Sequence, residues 1–172
     1  MRRPDLVPDC GSCAALCCVA TSFEASEDFA FDKPAGVACR HLTRESRCEI
    51  HATLVERGLR GCAAYDCYGA GQRATRAFAG AREAELERDD AFLRLRVVHE
   101  LLWLLTEALA LCPPVHAEVR AQLALEIEGL DSIASGPVAA LLEVDLDARG
   151  REARAALRRV GDALGGRRSA AG

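Results

Sequence analysis

The sequence is poor in aromatic residues, which make up 5% of its 172 positions, and its apolar half is dominated by Ala and Leu. Those side chains favour helix over sheet, so a β-sandwich or barrel is not the expected architecture. Positive charge is not in excess either. The formal net charge is −4, the pI is about 5.6, and Lys33 is the one lysine among otherwise arginine-borne positive charges. A chain without a basic face lacks what binding to a phosphate backbone needs, and no nucleic-acid partner is expected. Long hydrophobic runs are missing too. The stretch from Ala91 to Leu111 is interrupted by Arg94, Arg96, His99, Glu100, Thr106 and Glu107, so no membrane span is expected. Met1-Arg2-Arg3-Pro4-Asp5 is not followed by the apolar core of a secretion signal, which makes a cytoplasmic location the expectation. Ser12, Ser22 and Ser26 belong to no nucleophile elbow or triad. Gly69-Ala70-Gly71 lacks the strand and spacing of a phosphate loop and reads as a hinge.

Cysteine, by contrast, is abundant. Nine occur, and eight of them (Cys10, Cys13, Cys17, Cys18, Cys39, Cys48, Cys62 and Cys67) fall between positions 10 and 67, with Cys112 alone outside. In an oxidising compartment such density would be a disulfide framework; in a reducing cytosol it points to a metal site, with buried thiols as the third reading. The order is Cys10-x2-Cys13-x3-Cys17-Cys18, then Cys39, Cys48-x2-His51 and Cys62-x4-Cys67. Short spacings let two sulfurs converge on one ion, which is what a thiolate–imidazole site requires. If residues 10–18 are helical, steps of roughly 100° put Cys10, Cys13 and Cys17 within an arc of about 60° and Cys18 to one side. Adjacent Cys17 and Cys18 then serve two neighbouring metals, or one metal and one core position, more naturally than a single tetrahedral ion.

The expected metal set is Cys10, Cys13, Cys17, Cys18, Cys39, Cys48, His51, Cys62 and Cys67. These donors exceed the four that one structural zinc takes. Two sites, a polynuclear iron or iron–sulfur centre, or thiols left free for chemistry all satisfy the count. Soft thiolates suit zinc, copper(I) and iron–sulfur clusters, while Glu24, Asp28 and Asp32 suit a harder iron ion if the fold brings them in. His41, two residues after Cys39, stays outside the set, as do His99 and His116, which read as structural histidines on helices. Asp32-Lys33-Pro34-Ala35-Gly36 reads as a turn rather than a catalytic segment. Cys112, before Pro113, reads as a small hydrophobe at a helix end.

Cysteine content and periodicity place a boundary near Gly69-Ala70-Gly71, whereas proline, three residues on each side, does not. Beyond it, Leu86, Leu93, Val97, Leu101, Leu104, Ala108 and Leu111 form an amphipathic stripe that predicts a helix at about 82 to 111, stopped by Pro113-Pro114. Val115, Val119, Leu123, Ile127 and Leu130 mark a second helix. Val138, Leu141 and Leu142 open a third after Pro137, and Ala153, Leu157, Val160 and Leu164 carry its stripe past a weak point at Gly150. The expected fold is mainly α: a small irregular cysteine-rich module over 1–71, nucleated by metal, then about three amphipathic helices in 72–166 and a disordered tail over 167–172. Trp103 with its neighbouring leucines exceeds what one buried face needs, and offers a surface for a protein partner or for self-association.

The cysteine pattern resembles a known family. Cys10-x2-Cys13-x3-Cys17-Cys18, Cys39-Arg40-His41-Leu42, Cys48-Glu49-Ile50-His51 and Gly61-Cys62 are similar to the YkgJ-type cysteine-cluster family, described as a zinc- or iron-chelating domain. That family usually has an aromatic residue where this chain has His51, and a basic-Pro pair where it has Leu59-Arg60-Gly61. A longer resemblance rests on Phe23-x2-Ser26-x-Asp28-Phe29-Ala30-x-Asp32-Lys33-Pro34-Ala35-Gly36, Tyr65-Asp66-Cys67-x-Gly69-Ala70-Gly71-Gln72 and His99-Glu100-Leu101-Leu102-Trp103. These segments resemble the N-terminal region of actinobacterial pentapeptide-repeat proteins. No run of the Ala-(Asp/Asn)-Leu-x-x units of their β-helix occurs in residues 1–172, so properties of the β-helix are not implied. The expected function is that of a metal-binding protein chelating zinc or iron through its cysteines. An enzyme with an open thiolate-bound metal, and a scaffold with a purely structural metal, are the alternatives.

Overall fold

The computed structural model describes residues 6–80 and 84–165. The segment expected to be a disordered tail lies outside them. The fold is mainly α, with seven α-helices among the described residues: α1 (Leu16–Val19), α2 (Arg60–Ala64), α3 (Ala70–Ala77), α4 (Glu85–Leu111), α5 (Ala117–Ser135), α6 (Val138–Leu142) and α7 (Leu146–Gly165). Extended pairing is confined to two isolated antiparallel bridges among those residues, Phe23 with Lys33 and Leu42 with Cys48. No described helix is long and apolar enough to cross a membrane.

The chain divides into two compact units, residues 2–96 and 97–172, so the division falls inside α4. Composition placed the boundary about 25 residues earlier, because the alanine- and arginine-rich α3 looks like the helical half. Its side chains nevertheless belong to the cysteine-bearing unit. The Gln72 amide accepts from the Asp9 backbone N–H (3.1 Å) and donates to the Val7 carbonyl (2.9 Å), and the Ala14 N–H donates to Thr75 Oγ1 (2.9 Å). Gly69 is therefore no hinge. It adopts φ 80°, a conformation open to glycine at little cost, and starts α3.

The helices lie where the periodicity predicts them, but the buried face of α4 is not the expected stripe. Of that stripe Leu101 and Ala108 are buried and Leu86, Leu93 and Leu111 are exposed, while Phe92, Leu95, Val98, Leu102 and Leu105 are buried instead. Leu123, Leu130 and Ala134 of α5 are buried, as are Gly150, Ala153, Ala156 and Val160 of α7. α5 packs on α7 and on α6, and the small residues of α7 let the axes approach. The predicted third helix is broken, though not at Gly150. It stops after Leu142 and resumes at Leu146, where the Asp145 carboxylate accepts from the Ala148 N–H (2.9 Å) and caps the new first turn. Gly150 itself is buried inside α7. α4 ends as Pro113-Pro114 demands, and Arg120 of α5 covers its last carbonyls, donating to Leu109 O (2.8 Å) and to Cys112 O. Cys112 is buried at 1% exposure.

In residues 6–96 Leu16, Leu59 and Phe92 are the largest fully buried side chains. Ile50, Leu54 and Leu59 form a cluster on which Phe23, Phe29, Phe31, Cys48 and Cys62 pack. Phe29 stacks on Phe23 with ring centroids 4.3 Å apart, and its ring lies over Gly61. A methyl group at Gly61 would overlap that ring, whose Cε1 atom would be 2.6 Å away. Because the ring must shift from its stack on Phe23 to admit the methyl group, Gly61→Ala is expected to destabilise the chain by about 1–3 kcal/mol through overpacking. A urea midpoint unchanged from the parent would contradict this.

Candidate metal centre

The residues that bear the cysteines are mostly irregular. A 3-10 turn at Cys10–Ser12 gives way to extended Cys13, and Ala15 takes a left-handed conformation (φ 55°) before α1 begins. Cys10 to Cys18 is thus not one helix, and the arc expected from a helical spacing does not exist. Ser46 (φ 56°) and Tyr68 (φ 49°) are also left-handed without being glycine. Such residues cost free energy locally and are retained only where the surroundings impose them.

Those surroundings are hydrogen bonds to the backbone of the cysteine-bearing loops. Arg47 donates to the carbonyls of Cys10 (2.6 Å) and Gly11 (3.2 Å), joining the first loop to the residue before Cys48. Gln72 and Thr75 hold the same loop from α3. Lys33, only 4% exposed, donates to three carbonyls, Val19 (3.0 Å), Thr21 (2.5 Å) and Pro34 (3.2 Å). It thereby fixes the end of α1, which carries Cys17 and Cys18. The Cys39 N–H donates to the Cys18 carbonyl (2.8 Å).

With the loops held this way, all eight clustered cysteines and His51 line one cavity of about 460 Å³. Cys112 is not among the lining residues. Cys10 is exposed, the other seven are half-buried, and all nine cysteines are free thiols. The sulfurs ring the cavity instead of meeting at a point: among the described residues no three His, Cys, Asp or Glu side chains form a ready ligand group. The donor chemistry nonetheless suits a soft metal, because thiols from five separate segments face one space. The acidic candidates are placed elsewhere. Glu24 is exposed, Asp28 pairs with Arg60 at 3.6 Å, and Asp32 accepts from the Ala25 N–H (2.6 Å).

Sequence reasoning missed three contributors. His41 lines the cavity and its Nδ1 is 2.9 Å from Glu49 Oε1. Tyr65 also lines it, with a buried hydroxyl that has no hydrogen-bond partner. Burial, the largest influence, pushes that phenol above its ordinary range. An orphaned donor at the rim of a thiol-lined cavity is one that a bound group can satisfy. Lys33 was read as part of a turn, and Gly36 beside it does adopt φ 72°, but nothing in the spacing shows where its ammonium goes.

The thiols differ electrostatically. Burial, ahead of neighbouring thiolates, pushes Cys10 and Cys62 above the usual thiol range, and burial is the largest influence raising Cys48 and Cys67. Cys17 and Cys18 split in opposite directions: the hydrogen bond from Cys18 holds Cys17 down, and the same bond holds Cys18 up. In the metal-free, reduced protein, Cys17 is therefore the more reactive of the pair at neutral pH. Cys18→Ala removes the donor and is expected to slow iodoacetamide labelling of Cys17 at pH 7, by up to about 10-fold for each unit its pKa rises. Peptide mapping of alkylated protein reads this directly, and an unchanged rate at Cys17 would show that the hydrogen bond does not set its ionisation.

These features define a mainly α protein with a cysteine-lined cavity in its first unit. The chain is similar to YybG of Bacillus subtilis (strain 168), a protein described as uncharacterized, with 42% identity over 124 residues covering 67% of this chain and 44% of that protein. The chain thus spans less than half the length of this relative. No family model matches the chain, and no solved structure matches it.

Proposed function

We propose that this is a cytoplasmic metal-binding protein whose clustered thiolates hold zinc or iron, the iron alone or in an iron–sulfur centre. The carrying observation is that Cys10, Cys13, Cys17, Cys18, Cys39, Cys48, Cys62 and Cys67, together with His51, all line the same cavity although they lie on separate loops. The resemblance of the cysteine pattern to the YkgJ-type family supports the same reading. Eight thiols gathered on irregular loops also favour a metal as part of the folding free energy.

Elemental analysis and the visible spectrum of anaerobically purified protein test this. Zinc gives a colourless protein, and iron bound to thiolate gives charge-transfer bands. Cys13→Ser and Cys17→Ser are expected to lower the metal content, and Cys112→Ser to leave it unchanged. Equal metal content in all three variants would sink the ligand assignment.

A second reading is an enzyme with an open position on the metal. It is favoured by the apolar wall of the same cavity, formed by Phe23, Phe29, Ile50, Leu54, Leu59 and Phe92, since a volume of this size beside a metal suits a small organic ligand. An exchangeable external ligand that perturbs the metal spectrum distinguishes it from a closed structural site.

A further inference from the structure

We propose that the cavity holds two metal ions, one bound by Cys10, Cys13, Cys17 and Cys67 and the other by Cys18, Cys39, Cys48 and Cys62. This rests on the metal-binding reading above and goes past it by fixing the number of ions and the division of the ligands.

The first set gathers around the start of α3. A β-carbon at Gly71 would stand 2.6 Å from Cys13 Sγ and 3.8 Å from Cys67 Sγ, so both sulfurs flank one backbone position. The turn carrying Cys10 packs on α3, through Gln72 at Asp9 and Thr75 at Ala14. The second set is linked through Cys39. Cys39 is joined to Cys18 by a backbone hydrogen bond of 2.8 Å, and the Leu42 N–H returns to the Cys39 carbonyl (2.9 Å). Leu42 in turn is bridged to Cys48, and Cys48 and Cys62 pack on the same cluster of Ile50, Leu54 and Leu59.

Cys17 and Cys18 are consecutive in α1, so their side chains leave the axis roughly 100° apart, and we assign one to each set: Cys18 with Cys39, to which its backbone is bonded, and Cys17 with the other. Each set has four sulfurs, the number a tetrahedral zinc takes at Zn–S distances of about 2.3 Å. Each must draw together on binding, since no three donors among the described residues form a ready ligand group. One ion cannot reach eight sulfurs arranged around a cavity of about 460 Å³.

The test is titration of Zn²⁺ into the reduced, metal-free full-length chain, with bound zinc counted by elemental analysis after gel filtration and by native mass spectrometry. Two ions per chain are expected. One ion would overturn the division while leaving the metal-binding reading intact, and none would overturn both. Cys67→Ser and Cys62→Ser are each expected to fall from two ions to one, and the double variant to bind none. Loss of both ions from either single variant would overturn the assignment to separate sets. The count on the parent chain decides the matter even if a variant fails to fold.

Discussion

Removing the metal with a chelator is expected to unfold the cysteine-bearing residues 6–80 while the helices of residues 97–165 persist. On the proposed metal-binding reading the ions tie together loops that hold three left-handed non-glycine residues, and their binding offsets part of the chain entropy of those loops. At a free zinc concentration a thousandfold above Kd, binding to the folded state alone contributes roughly 4 kcal/mol. Limited proteolysis checks this: cleavage should appear between Cys10 and Cys67 after chelation, with a fragment containing α5 to α7 resistant. Identical cleavage with and without chelator would contradict it. The pH dependence has a definite sign. Burial holds the thiols of Cys10, Cys48, Cys62 and Cys67 above their usual range, so in the metal-free protein they carry protons at neutral pH. Binding must release those protons, hence zinc affinity and the stability that depends on it fall as pH falls.

Lys33→Met is expected to be among the most damaging single substitutions away from the thiols. The methionine keeps the aliphatic stem but leaves the carbonyls of Val19, Thr21 and Pro34 without the donor that now serves all three. Val19 and Thr21 are half-buried and Pro34 is exposed, so water reaches part of this set. At about 1–3 kcal/mol for an acceptor left unpaired out of water, a loss of about 1–3 kcal/mol is expected in urea denaturation. The end of α1 would loosen with it, displacing Cys17 and Cys18, and bound metal should decrease in the same variant. A change below about 0.5 kcal/mol, the range of an ordinary surface substitution, would show that water replaces the ammonium at these carbonyls.

The existence of the long helices is legible from their apolar periodicity, and the proline pair predicts the end of α4. The stripe from Val119 to Leu130 predicts α5, where Leu123 and Leu130 are buried. The stripe from Leu86 to Leu111 picks the wrong face of α4: Leu86, Leu93 and Leu111 are exposed, because a helix rich in apolar residues all round offers more than one stripe. The break between α6 and α7 was misplaced because a glycine was weighed as a helix breaker. In the structure Asp145 caps a new helix, and Gly150 is buried within α7 beside the guanidinium of Arg154. The cysteine loops have no period to read. That thiols would share one space followed from their spacing, but which thiols neighbour which depends on contacts between distant positions, such as Gly71 with Cys13 or Arg47 with Cys10. The cysteine-bearing unit runs on to Arg96, where composition alone stops it near Gly71, because Phe92 lines the same cavity and Arg96 lies over the rings of Tyr65 and Tyr68.

Because Lys33 is the only side-chain amine in the sequence and is buried against backbone carbonyls, the molecule carries its own reporter of local opening. An acylating reagent such as an N-hydroxysuccinimide ester reaches that nitrogen only when the end of α1 lets go. The rate of modification at this one position therefore measures how often the cysteine-bearing unit breathes, in the presence or absence of any ion, without a label being introduced.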